Sequence, residues 1–197
     1  MARPRTHTAE LREQIMGCAL DAVAEHGVKA LVLRDIADCA GTSTTAVYSL
    51  FGNKEELHRS VLIRAFTDFA TAQESEPPSD SPVDDIAGLG MRYVQWALDH
   101  PRLYEAMFTD SAAGLAPSSE LDEARARAIA AVSDAVGRAL ETGAFRPADQ
   151  ATIVVSLWAQ VHGLAVLMIA GQLPDEADIA TAAWAVVAGW LSEENPS

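Results

Sequence analysis

Apolar positions along this chain recur three and four residues apart, alanine is abundant, apolar–polar alternation is scarce and no clean hairpin signal occurs. The pattern predicts an all-α protein of about nine helices. The first runs from about Thr8 to His26, with Leu11, Ile15, Cys18, Ala19, Ala22 and Val23 inward and Gly27 ending it. Two short helices follow around Gly41. A fourth runs from Lys54 to about Ala72 and carries Leu57, Val61, Ala65 and Phe69 four apart. The stretch Gln73 to Val83, with its adjacent prolines, reads as the loop between a head and a body. Further helices fall at about Pro82–Asp99, Arg102–Asp110, Ser119–Thr142 and Asp149–Ala170, with a small-residue loop over Ser111–Ser119. Asp175 is expected to cap a ninth helix ending near Ser192. The expected division is a head over residues 1–60, linked by helix four to a body over 61–197.

The stretch Leu33 to Leu57 has the layout of a helix-turn-helix, which places a helix in the DNA major groove. Leu33, Ile36, Ala37 and Ala40 give one apolar face, and Gly41 suits the left-handed residue that ends a helix. Ser43 can cap the next helix by accepting the N–H of Ala46. Ala46, Val47 and Leu50 then pack inward, leaving Thr44, Thr45, Tyr48 and Ser49 outward, where small hydroxyls and a phenol suit base edges and phosphate oxygens. Asn53 with Glu56 makes an Asn variant of the capping box. The free N–H groups at the start of the following helix, with Lys54, form a phosphate clamp.

Arg34 to Ala37, Ala40 to Ser43, Val47 to Phe51 and Lys54 to Leu57 stand at the spacing of the DNA-binding domain of the tetracycline-repressor family, which about the first 65 residues resemble. His100 to Phe108 and Trp158 to Leu167 resemble the C-terminal domain of the family's Trp-x-x-x-His-Gly branch. The resemblance implies Thr44, Thr45 and Tyr48 at bases or adjacent phosphates, and Arg34, Thr42, Ser43 and Lys54 at phosphates. Four positions depart from the family pattern. Val32 stands where Ser or Thr usually caps the second helix, a loss of about 1 kcal/mol. Thr42 replaces an apolar turn residue, and Ser49 and Leu50 replace positions often held by Arg, Tyr or His. The recognition helix therefore has no cation of its own. Attraction to phosphate falls to Lys54, Arg34 and an arm bearing Arg3, Arg5 and His7, which predicts modest, salt-sensitive affinity.

A formal net charge of −14 argues against nucleic acid until its distribution is considered. Residues 1–60 carry seven basic against eight acidic side chains, and the remainder seven against twenty. An acidic body would repel DNA and leave only the head to dock. Two cysteines, Cys18 and Cys39, are too few for a disulfide scaffold and suit a reducing cytoplasm. Cys18 fits the inner face of helix one. Cys39 falls on the outer face of helix two, as a plain surface thiol or a redox-sensing one. No signal peptide is visible at the Arg- and Thr-rich N-terminus.

Helix eight is apolar most of the way round and long enough to raise a membrane question. Ser156, Gln160, His162 and Gly163 in its interior, and acidic flanks, favour burial in protein over a span. The resemblance implies a four-helix homodimer interface from helices eight and nine. Ile153, Leu157, Val161, Leu164 and Met168 would serve on one, and Ile179, Ala183, Val186, Val187 and Trp190 on the other. Met91, Trp96, Tyr104, Met107, Phe108, Trp158 and His162 are candidates to line a pocket for a small apolar or aromatic effector, or else simply core. His162 is a polar point for a ligand or a packed histidine beside Gly163, whose lack of a side chain would let helices approach closely.

The histidines show no HxxxH or HExxH spacing, and no phosphate loop, GxSxG elbow or acid–base pair occurs. No metal, cofactor or enzyme activity is expected. The sequence thus points to a ligand-responsive, dimeric DNA-binding regulator, a repressor, acting on a palindromic operator in double-stranded DNA. The alternatives are a DNA-binding regulator without effector, and a small all-α binding protein or enzyme that does not bind DNA.

Overall fold

The computed structural model describes residues 5–108 and 115–192, apart from the side chains of residues 5–7. Among these residues the protein is all-α, as the periodicity predicts. The α-helices among the described residues are α1 (Arg5–His26), α2 (Leu33–Cys39), α3 (Thr44–Phe51), α4 (Lys54–Gln73), α5 (Pro82–Asp99), α6 (Pro101–Phe108), α7 (Ser119–Glu141), α8 (Gln150–Ile169) and α9 (Ile179–Ala188). A 3-10 turn covers Val28–Ala30, and Phe145 and Leu191 form an isolated β-bridge. The expected extension of α6 to Asp110 and most of the following loop, Ser111 to Gly114, lie outside the described residues. So do Arg3 and the side chains of Arg5 and His7 in the expected arm.

The chain divides into two compact units. The first holds the described residues through Phe66 together with those of His100–Arg125. Its core follows from helical spacing: Ile15, Ala19 and Val23 of α1 are fully buried, as are Leu57 and Val61 of α4. Ile36 and Ala37 of α2, Val47 and Phe51 of α3, and Leu103, Tyr104 and Met107 of α6 complete it. Of the three residues expected to turn α3 inward, Val47 is buried, while Ala46 and Leu50 are only half-buried and Phe51 takes the second core position.

The expected helix ends are present. Gly41 has φ +60°, and Thr42 N–H closes onto the Ala37 carbonyl at 2.9 Å. Ser43 Oγ accepts from the Ala46 N–H at 3.2 Å, and Asn53 Oδ1 from the Glu56 N–H at 2.9 Å. Val32 gives α2 no side-chain cap. The last helix corrects the sequence reading: its cap is Asp178, not Asp175. Asp178 accepts from the Thr181 N–H at 3.0 Å and its hydroxyl at 2.7 Å, while the residues before it close a separate turn, Ala177 N–H onto the Pro174 carbonyl.

The cysteines also depart from expectation. Cys18 of α1 and Cys39 of α2 are not separate thiols but a disulfide, with Cα atoms 6.0 Å apart. Packing of α2 on α1 makes this pair, which are 21 positions apart in sequence.

The second unit comprises Thr67–Asp99 and the described residues from Ala126 onward. Its core is Ile86 and Leu89 of α5, Ala135, Val136 and Ala139 of α7, Ile153, Val154 and Leu157 of α8, Val187 of α9, and Phe145 from the α7–α8 connection. Helices α5 and α8 cross closely at Gly90, where an added Cβ would lie 3.4 Å from Val161. That close approach was expected at Gly163, where an added Cβ would meet nothing within 4 Å. Arg138 binds Asp85 at 2.5 Å and the Ser79 carbonyl at 3.0 Å, tying α7 to the segment that opens α5. Helix α8 is long and apolar enough to cross a membrane by length and composition, but Ile153, Val154, Leu157, Leu164 and Ala165 are buried in this unit.

Candidate nucleic-acid interface and effector body

Helix α3 presents Thr45, Tyr48 and Ser49 to solvent on one face, with Tyr48 52% exposed. Ser43, Lys54 and Arg34 are also exposed, whereas Thr42 and Thr44 are half-buried. The capped start of α3 aims unpaired backbone N–H groups outward from Ser43, and the Asn53-capped start of α4 does the same beside Lys54. The face combines small hydroxyls, one phenol and two helix N-termini, a set able to contact phosphates and base edges.

Two arginines that look like further DNA-facing cations do other work. Arg12 of α1 donates to the Leu50 carbonyl at 2.7 Å and lies 4.4 Å over the Phe51 ring. It satisfies a carbonyl near the end of α3 and packs on that helix's last residue. Its sequence separation of 38 gives no local signal, so sequence reasoning missed this role. Arg59 is buried, ion-paired to Glu56, and donates to the Ala116 carbonyl at 3.2 Å. Its hydrogen bond to Glu56 holds it charged, against the pull of burial. Neighbouring His58 is buried, and burial, then the Lys54 charge, pushes its pKa below the ordinary value, so it is neutral at pH 7. Apart from Arg12, the described exposed cations of the head are Arg34, Lys54 and Lys29.

The candidate pocket residues are drawn from both units. Tyr104, Met107 and Phe108 belong to the first unit; Met91, Trp96, Trp158 and His162 to the second. Met91 is 71% exposed. Trp96, Tyr104 and Met107 are buried core, with Trp96 edge-on to Phe69 at 5.2 Å. Trp158 and His162 are half-buried and meet through Tyr93, which the sequence reading overlooked. Trp158 Nε1 donates to the Tyr93 hydroxyl at 3.2 Å, and that hydroxyl shares a hydrogen bond of 3.1 Å with His162 Nδ1. Burial lowers the His162 pKa.

The dimer candidates divide as well. Ile153, Leu157, Leu164 and Val187 are buried within their own chain. Val161, Met168, Ile179, Ala183, Val186 and Trp190 remain half-buried. The large exposed apolar side chains of these two helices are Val155, Val166, Leu167, Ile169 and Trp184. Both sides of α8 are apolar, so periodicity could not say which side the chain itself would cover.

A capped two-helix turn with a polar outward second helix, followed by a separate helical unit, defines a helix-turn-helix transcription regulator. Residues 15–61 match the bacterial regulatory proteins of the tetR family, and residues 86–191 the tetracyclin repressor-like C-terminal domain. The chain belongs to that family. It is 30% identical over 156 residues to the HTH-type transcriptional repressor SCO4008 of Streptomyces coelicolor, covering 76% of this chain and 78% of that one. It is 31% identical over 116 residues to the repressor KstR2 of Mycolicibacterium smegmatis, covering 58% of this chain and 56% of the relative. A solved protein of unknown function from Rhodococcus sp. RHA1 superposes with a TM-score of 0.81 at 26% identity, over 92% of this chain and 96% of the other. The protein is a DNA-binding transcription regulator and not an enzyme.

Proposed function

We propose that this regulator is a ligand-responsive repressor that binds a palindromic operator as a homodimer in the cytoplasm. The observation that carries the reading is the outward face of α3, Thr45, Tyr48 and Ser49, flanked by two capped helix starts and Lys54. In this reading Thr44, Thr45 and Tyr48 contact bases or adjacent phosphates, and Arg34, Thr42, Ser43 and Lys54 position the phosphate backbone. The division into a DNA-binding head over residues 1–60 and a body beyond it is part of the same proposal.

The exposed apolar residues Val155, Val166, Leu167, Ile169 and Trp184 support dimerisation through α8 and α9, with the half-buried members of the original set at its margin. A two-fold dimer then matches a two-fold operator. The effector is a small apolar or aromatic molecule. Its polar point is the Tyr93–His162–Trp158 group, whose Trp-x-x-x-His-Gly spacing supports placement in that branch of the family. Helix α4 runs unbroken from Lys54 to Gln73 and is the lever by which an effector would move the phosphate clamp. A differential affinity of about 1–3 kcal/mol between two states changes occupancy about 5- to 150-fold. The core packing of Trp96, Tyr104 and Met107 favours a second reading, a regulator without effector.

Selection of bound sequences from random duplex DNA by the purified protein tests the first reading. A recovered palindrome, bound by a species of twice the chain mass, supports it. An asymmetric site or a monomeric complex overturns the dimeric operator.

A further inference from the structure

We propose that Cys18–Cys39 is a reversible thiol–disulfide modification site that sets the grip of the head on DNA, with a low-molecular-weight thiol and its disulfide as the reacting partners. The proposal rests on the DNA-binding role of α3. Helix α2 is seven residues long, lacks a side-chain cap and buries only Ile36 and Ala37. Such a helix is weakly held by its own bonds. The disulfide is a third anchor, and it sits at the last residue of α2, directly before the Ala40–Gly41 turn that aims α3. Release of that anchor frees the turn that joins α2 to the DNA-reading helix α3. A preorganised turn binds more tightly than one that must be ordered on binding.

Access is asymmetric. Cys39 is exposed and Cys18 half-buried, so an incoming thiolate reaches the Cys39 sulfur. Attack there forms a mixed disulfide on Cys39 and expels Cys18 as thiolate, which takes up a proton. A second thiolate attacks the outer sulfur of the mixed disulfide, releasing the small-molecule disulfide and Cys39 thiolate, which is protonated in turn. Two electrons pass to the protein and one small-molecule disulfide is formed. The reverse steps, with that disulfide as oxidant, close the bond again. Where small thiols are kept reduced, protein disulfides are mostly transient or sensing, so the state of this pair would report the thiol couple around it.

The test uses the full-length protein equilibrated in graded mixtures of reduced and oxidised glutathione. Pulsed alkylation and mass spectrometry give the oxidised fraction, and anisotropy with a fluorescein-labelled selected duplex gives the affinity. We expect the bond to open and close in the folded protein, and affinity to fall at least about fivefold on reduction. Cys39→Ser should bind at the reduced level in every mixture. Equal affinity of the two wild-type forms overturns the proposal, as does a bond that glutathione opens only in denatured protein, or a Cys39→Ser protein that binds like the oxidised form. The reduced wild type needs no variant to fold. Loss of duplex binding by the oxidised protein as well would instead overturn the role of the head on which the proposal rests.

Discussion

Ser43 is placed to do two things, and substitutions can separate them. Its Oγ caps α3 through the Ala46 N–H, and its exposed hydroxyl stands where the proposed reading puts a phosphate. Loss of an N-cap costs about 0.5–2 kcal/mol. Here the bond is 3.2 Å long, and the same N–H also reaches the Ser43 carbonyl at 2.9 Å. The shared donor is not orphaned when the hydroxyl goes, so Ser43→Ala should lie in the lower half of that range, about 0.5–1 kcal/mol. All four tryptophans lie beyond residue 95, so their fluorescence does not report on the head. Amide hydrogen exchange of the first turn of α3 does, and 0.5–1 kcal/mol corresponds to roughly two- to fivefold faster exchange. Ser43→Gly should change it by only a few tenths of a kcal/mol. Ser43→Asp should keep the cap and its slow exchange, but place a negative charge at the phosphate. A like charge at about 4 Å in water is worth about 1 kcal/mol, so affinity for the selected duplex should fall roughly fivefold. Unchanged exchange in Ser43→Ala refutes the cap as a source of stability. Unchanged affinity in Ser43→Asp refutes the placement of Ser43 beside a phosphate.

Other consequences are as direct. Lys54→Ala should weaken binding alike for all duplexes and lower the slope of log affinity against log salt by about 1, whereas Thr45→Ala should alter base preference in a repeated selection. Phe145, 1% exposed, fills the second core from a connection with no helix of its own, so Phe145→Ala should cost about 3–5 kcal/mol in chemical denaturation followed by tryptophan fluorescence. Asp85 has its pKa lowered, first by the hydrogen bond from Arg138 and further by Ser79. A depressed folded pKa means stability that is complete above the ordinary carboxylate value of about 4 and is lost as pH falls through the folded one. The difference in melting temperature between wild type and Asp85→Asn should accordingly be largest above that value and shrink below it. Trp184→Glu should convert the proposed dimer to monomer in sedimentation while the chain still folds, since Trp184 is 43% exposed within its own chain.

What the sequence determined was local. Gly41, Ser43 and Asn53 bring their own backbone preferences and capping oxygens, which act within three or four residues, and α2 ends and α3 and α4 begin where those residues put them. Helical spacing likewise marked Ile15, Ala19 and Val23 as core before any neighbour was known. Even here local rules can compete: Asp175 and Asp178 are both plausible caps, and the choice went to the one with Thr181 three residues on.

Tertiary structure decided everything that needs two distant segments. Helix α8 is apolar on most sides, so only its packing with α5, α7 and α9 shows that Ile153 and Leu157 belong to the chain's own core while Val155 and Leu167 are left outside. The Cys18–Cys39 bond, the Arg12 grip on the end of α3 and the Trp158–Tyr93–His162 contact span 21 to 69 positions. Backbone preference and capping fade within a turn of helix, whereas contacts at that separation exist only once the helices have packed.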